Sequence, residues 1–331
     1  MPVLDSSRGR VRETAMDRRG NSGQPITIGL VNNMPEAAFK ATQRQFFSLL
    51  NAASGDIPVR LLLYALPGLA RTEHSGHSKY LSVETLWDQR LDGLIVTGRE
   101  PVTPDLRDES YWDSFVQVLE WAQRNTISTV WSCLAAHAAV LHMDGIPRKK
   151  SDTKHCGIFD CVPEPGHWLA EGAPPRFQVA HSRWNSVAEA DLAACGYQVV
   201  TRTREAQVDT FLKQGSSLFV FFQGHPEYES DTLLREYRRD VERYLNHQSD
   251  AYPSTPHNYF DDATERGLDE LRQQAVVFRD KYLLADLATA LARCKLQSTW
   301  DSTATVVYRN WLDFIYARKH QNTSGARLIS Q

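Results

Sequence analysis

The chain has 331 residues, enough for one large hydrophobic core or two moderate ones. Its 42% hydrophobic and 23% charged residues exclude a disordered or fibrous class. A formal net charge of -3 offers no basis for a nucleic-acid or membrane-surface partner, and no apolar run approaches the ~20 residues needed to span a bilayer.

Residues 1–24 carry Arg8, Arg10, Arg12, Arg18 and Arg19 in a polar, Gly- and Ser-containing stretch with no apolar segment behind it. This is no secretory signal, and it predicts a disordered tail; a basic docking arm is the other reading. The five cysteines (Cys133, Cys156, Cys161, Cys195 and Cys294) are odd in number and scattered, which points to reduced thiols and a cytoplasmic location. Cys156 and Cys161 lie near His155, but structural zinc needs four ligands, usually in two close pairs, and no second pair is present. No metal is therefore expected.

Residues 26–31 form a short apolar run typical of a buried strand, ended by Asn32 to Pro35. Helical spacing follows over 36–53, with Phe39, Phe46, Leu49 and Leu50 on one side. A second strand is predicted at 59–64, a loop with His74 and His77 at 67–82, and a third strand at 91–97 closed by Gly98. A helix at 111–124, a strand at 128–131 and a helix at 134–142 come next. The Pro- and Gly-rich stretch 147–173 predicts a loop, and 177–182, 197–204 and 217–222 predict strands. Helices are expected at 231–247, 268–291 and 303–316, with a loop at 251–262.

Strands alternating with helices imply an α/β fold: a mostly parallel sheet with helices on both faces. No linker divides the chain, so residues 25–318 are expected to form one domain with a helical C-terminal extension, and 319–331 a polar tail. In such sheets reactive groups gather at the carboxyl ends of the strands, which singles out Asn32, Gly98, Cys133 and His225.

In the run from Val130 to His137 an apolar strand leads straight into Cys133, and small residues follow. This is the pattern of a nucleophile elbow, a tight strand-to-helix turn that lifts one side chain above the sheet. The helix N-terminus would favour the reactive thiolate. A cysteine after a strand also serves as an inert buried residue. The second motif, Gly224 to Glu227, follows another strand and supplies a histidine with a carboxylate two residues on. A general base needs such an orienting partner on its second nitrogen. Cys133, His225 and Glu227 thus form a complete candidate set of nucleophile, base and orienter.

The run from Gly224 to Tyr228, followed by Asp231 to Leu233 and Arg239-Asp240, resembles the homoserine O-acyltransferases, a family that includes O-succinyl- and O-acetyltransferases. So do Ile28 to Leu30 with Asn32 and Met34-Pro35, Thr42 with Gln45-Phe46, and Leu91 to Gly98. Tyr111-Trp112, Gly145 to Pro147, Lys154 with Gly157, His181 to Arg183, Asn258 to Phe260 and Asn310 to Leu312 continue the series in the family's order. The resemblance implies a fold like that of class I glutamine amidotransferases. It also implies transfer of an acyl group from succinyl-CoA or acetyl-CoA to the hydroxyl of L-homoserine, in methionine biosynthesis, through a thioester on Cys133 in a ping-pong mechanism. By position, Lys154, Ser182 and Arg239 would bind the amino-acid substrate, and Leu134, Arg99 and Glu100 would line the oxyanion and acyl site. No bound cofactor is implied, with acyl-CoA serving as co-substrate. A homodimer is compatible with the sequence.

The chain departs from the family at three places. Leu134 to His137 stands where the family has a pattern like Trp-Gly-Ala-Gln, and Arg99 to Val102 where it commonly has Ala-Pro. Glu36 to Lys40 replaces lysines that follow Met-Pro. These changes keep the acyl donor open, and the acceptor too, with L-serine or another hydroxy amino acid as the alternative. A glutamine amidotransferase-like hydrolase would use the same nucleophile, and a binding protein without activity would need no triad. The Arg239 guanidinium suits an α-carboxylate, although neighbouring Arg235, Arg238 and Arg243 also fit a solvated helix face.

Overall fold

The computed structural model describes residues 3–5, 24–67, 80–204, 207–292, 294–296 and 298–328. The basic residues from Arg8 to Arg19, and His74 and His77, lie outside them.

Eleven strands form one sheet: β1 (Val3–Asp5), β2 (Ile26–Val31), β3 (Val59–Ala65), β4 (Leu81–Ser82), β5 (Gly93–Thr97), β6 (Ser128–Ser132), β7 (Lys149–Pro163), β8 (Phe177–Ser186), β9 (Gln198–Thr203), β10 (Gln207–Gln214) and β11 (Leu218–Phe222). Their spatial order is β1-β3-β2-β5-β6-β11-β10-β9-β7-β8, with β4 beside β3. Pairing is parallel from β1 through β11 and antiparallel from β11 through β8. The sheet is therefore mixed and mostly parallel.

The central strands β2, β5, β6 and β11 are buried at nearly every position because both faces are covered. Leu94, Val96, Trp131, Phe219 and Phe221 point to one face, under α2 (Trp112–Asn125) and α3 (Leu134–Asp144). The alternate residues Ile95, Val130, Val220 and Phe222 point to the other, under α1 (Glu36–Ala53) and α8 (Asp301–Leu328). Trp311 and Ile315 of α8 are buried there, and Trp311 donates from Nε1 to Ser128 Oγ at 2.8 Å. After the short α4 (Glu189–Ala194), a third apolar cluster joins α5 (Thr232–Leu245), α6 (Asp262–Phe278) and α7 (Leu283–Ala292) to Cys156 and Ile158 of β7 and Ala180 of β8. Among the described residues no helix is long and apolar enough to cross a membrane.

Several expectations are corrected. The stretch 147–173 is no loop: it contains the 15-residue β7. Gly157 hides it from a propensity reading. Its φ is 137°, and a Cβ there would stand 2.3 Å from the backbone N and O of His257. Ile158 donates to His257 O and His257 to Cys156 O, both at 2.8 Å, so the glycine marks a close strand approach and not a turn. Strand β10 was not anticipated, because Asp209 interrupts its apolar pattern. The helix expected over 268–291 is two helices, divided at Arg279, which adopts a left-handed cap at φ 43°. The N-terminal tail includes β1, paired with β3, and the region 319–331 continues α8 to Leu328. A helix already anchored on the core extends at little further cost. Lys319 of that extension bonds Asp92 Oδ2 at 2.8 Å.

Candidate active site

Strands β6 and β11 run side by side, with Ser132 opposite Phe222, so the residues that follow them leave the sheet together. Cys133 comes first. Its φ of 51° and ψ of -112° lie where an L-residue is strained, which typically costs about 1–3 kcal/mol. The Cys133 N–H donates to Phe222 O at 2.7 Å, and the turn enters α3 at once. Gly98 makes room for it: a Cβ at Gly98 would lie 2.7 Å from Ala135 N and 2.8 Å from Leu134 N. The strained elbow therefore sets a thiol above the first amides of a helix, with the sulfur not used as a helix cap.

His225 is fixed from several sides. Its N–H donates to Ala180 O at 2.8 Å, and its Nδ1 lies 2.8 Å from Glu227 Oε1. The Tyr228 ring stacks on the imidazole at 4.1 Å between centroids and 17° between planes. Burial works against the imidazolium, but Cys133 and Glu227, each in hydrogen-bonding contact with the ring, outweigh it and raise the His225 pKa well above its ordinary value. Glu227 is 7% exposed, and Ser132 Oγ stands 3.5 Å from its Oε1. The three residues expected to work together are thus brought together, with Glu227 on one ring nitrogen and Cys133 left to the other.

A second cluster lies on α5 and the β7–β8 ladder. Lys154 Nζ bonds Asp240 Oδ2 at 2.9 Å, and Arg239 reaches Asp240 Oδ1 with Nε at 2.9 Å and Nη2 at 2.8 Å. Ser182 donates to Glu236 Oε2, and Tyr228 donates to Glu236 Oε1 at 2.8 Å. Burial disfavours the Lys154 ammonium, yet Cys156, Asp240 and Glu236 outweigh it and hold its pKa above the usual lysine value. The sequence reading gave Glu236 no role and used Asp240 only within the Arg239-Asp240 match. The signal was their i, i+4 spacing, which puts both on one face of α5.

Of the residues expected at the oxyanion and acyl site, Leu134 lies at the elbow, where its backbone N–H faces Gly98. The side chains of Arg99 and Glu100 are engaged elsewhere. The Arg99 guanidinium lies 5.1 Å from the centre of the Tyr111 ring, and Glu100 pairs with Arg243 at 3.1 Å. The loop that carries them is held by Glu109, which accepts from Val102 N, Thr103 N and Thr103 Oγ1, all at 2.7 Å.

Behind the Gly224 turn lies a buried polar group that the sequence did not advertise. Asp209 accepts from Thr201 and Thr210 hydroxyls at 2.7 Å and from Gly224 N at 3.2 Å. His181 Nε2 stands 3.3 Å from Asp209, and Arg183 donates from Nε to His181 Nδ1 at 3.3 Å. Gly224 is required here, since a Cβ would fall 2.6 Å from Asp209 Oδ1.

His137, the departure after the elbow, is wholly buried. Its Nε2 lies 2.9 Å from Gln223 Oε1, an oxygen that also accepts from Val187 N. The proton therefore sits on Nε2, and burial pushes the pKa down to about 4. An unfolded histidine titrates near ~6.5 and binds its proton first as pH falls. The stability from a neutral buried His137 is thus complete above that value and is lost progressively toward the folded pKa. The loss amounts to about 2 kcal/mol at pH ~5. His137→Gln is expected to shallow the fall in urea midpoint between pH ~7 and ~5. Parallel curves for the variant and the parent would remove His137 as a source of acid lability.

An α/β sheet that presents a thiol on an elbow, beside a carboxylate-oriented imidazole, has the equipment of covalent cysteine catalysis. Comparison with known proteins narrows that class. The homoserine O-succinyltransferase family profile matches residues 10–322. The homoserine O-succinyltransferase of Bradyrhizobium japonicum is 43% identical over 324 residues, covering 95% of this chain and 99% of its own. That of Rhodopseudomonas palustris is 45% identical over 297 residues, covering 89% of each. Among solved structures, a glutamine amido transferase from Methylobacillus flagellatus is similar over 88% of this chain and 94% of its own, with a TM-score of 0.48 at 16% identity. The chain belongs to the homoserine O-succinyltransferase family, and so to the acyltransferases.

Proposed function

We propose that the protein transfers the succinyl group of succinyl-CoA to the hydroxyl of L-homoserine, in methionine biosynthesis, through a thioester on Cys133. The observation that supports the covalent route is the strained elbow at Cys133, entered from β6 beside the strand that leads to His225, whose Nδ1 lies 2.8 Å from Glu227 Oε1. His225 accepts the thiol proton, the sulfur attacks the donor carbonyl, and the CoA thiolate leaves with the proton returned by His225. The homoserine hydroxyl then gives its proton to His225 and attacks the Cys133 thioester, and the Cys133 sulfur is the leaving group. In this reading the first amides of α3, at Leu134 and Ala135, would receive the carbonyl oxygen as its charge develops.

The α5 cluster suits a zwitterionic acceptor. Glu236, oriented by the Ser182 hydroxyl, offers a carboxylate for the α-ammonium, and Lys154 and Arg239 offer N–H donors for the α-carboxylate. Asp240 takes the Nε/Nη2 edge of Arg239, so the substrate carboxylate would meet the Nη1/Nη2 end.

The direct test combines succinyl-CoA, acetyl-CoA and glutamine with homoserine and serine, reading the Cys133 adduct by intact mass and the product by mass. Succinyl-CoA with homoserine is expected to dominate, and an adduct from glutamine alone would overturn the reading. Arg239→Lys keeps the charge and loses the fork. It is expected to raise the homoserine KM by about 30-fold or more, in line with ~2–5 kcal/mol for a truncated charge pair. Acylation of Cys133 should change by no more than about threefold, because the acceptor takes no part in it. A parallel fall of both half-reactions would reassign Arg239 to the fold or the donor site.

A further inference from the structure

We propose that Tyr228 is a positioning residue that couples capture of the acceptor ammonium to the general base: its ring lies on the His225 imidazole, and its hydroxyl holds Glu236. The inference rests on the acceptor site proposed above.

Three contacts fix Tyr228 in this role. The face-to-face stack at 4.1 Å leaves the imidazole little freedom to tilt about its Glu227 bond. The hydroxyl donates to Glu236 Oε1 at 2.8 Å while Ser182 donates to Oε2, so both carboxylate oxygens are oriented before any substrate arrives. The Tyr228 backbone is anchored too, since the buried Trp300 donates from Nε1 to its carbonyl at 2.9 Å. Burial keeps the phenol protonated, so it acts as a donor toward Glu236. One rigid side chain therefore spans the two half-sites. An ammonium bound at Glu236 pulls on the same hydroxyl whose ring sets the plane of the base.

The test separates ring from hydroxyl. Tyr228→Phe keeps the stack and loses only the bond to Glu236. It is expected to raise the homoserine KM about tenfold, the scale of one hydrogen bond to a charged group, with acylation of Cys133 by succinyl-CoA altered by no more than about twofold. The penalty should vanish with 4-hydroxybutyrate, which lacks the ammonium, and in a Glu236→Ala background, where the hydroxyl has no acceptor left to hold. Tyr228→Leu, which also removes the ring, should slow both half-reactions. A Tyr228→Phe penalty that persists with 4-hydroxybutyrate or in the Glu236→Ala background overturns the coupling, as does the absence of any penalty. If the wild-type protein forms no Cys133 adduct and no product, the functional reading and the coupling fall together. If it is active and Tyr228→Phe is unaffected, only the coupling falls.

Discussion

Cys133→Ala is expected to abolish acyl transfer, by at least about 10⁴-fold, while the protein keeps its fold. The covalent route has no substitute for its nucleophile, and removing one member of such a set costs several powers of ten. Stability should scarcely change, because alanine keeps a Cβ at φ 51° and bears the same backbone strain as cysteine. Cys133→Gly supplies the control. Glycine adopts a positive φ freely, so this variant should be equally inactive yet more stable than Cys133→Ala by about 1 kcal/mol. Intact mass after mixing with succinyl-CoA reads the adduct, and urea unfolding reads the strain. Near-normal turnover by either variant would dispose of the thioester.

His225→Asn is expected to slow both half-reactions by about 10³-fold, within the range a positioned acid–base group supplies. Both halves suffer because the same imidazole handles the thiol proton and then the hydroxyl proton. Glu227→Gln should be milder, about 10- to 100-fold, since the carboxylate orients the ring and stabilises its charge but moves no proton. Single-turnover acylation and acceptor titration on each variant provide the measurement. A Glu227 variant more damaged than the His225 variant would reverse the roles of the two side chains.

Where the sequence reading succeeded, the physics was local or periodic. The central strands are mostly apolar because both their faces are covered, and that pattern stands in the sequence from Ile26 to Val31, interrupted only by Thr27 and Gly29, and from Leu218 to Phe222. Cys133 and His225 stood out because each directly follows such a strand. Their meeting follows from the parallel pairing of β6 with β11, which a sequence can suggest but only the sheet order establishes.

Tertiary structure alone decided the rest. Gly157 looks like a turn residue until the backbone of His257 is found against it. Glu236 and Asp240 look like solvated helix charges until Ser182, Tyr228, Lys154 and Arg239 close around them. Arg99 and Glu100 were expected to line the oxyanion and acyl site, and only the fold supplies their partners, Tyr111 under the guanidinium and Arg243 at the carboxylate. The class of fold could be read from the sequence, and so could the candidate nucleophile, base and orienter, because those are read from strand ends and from neighbours two residues apart. The charges that gather on α5 could not, because Lys154 of β7 reaches Asp240 across 86 positions of chain and Ser182 of β8 reaches Glu236 across 54, contacts that only the folded sheet brings about.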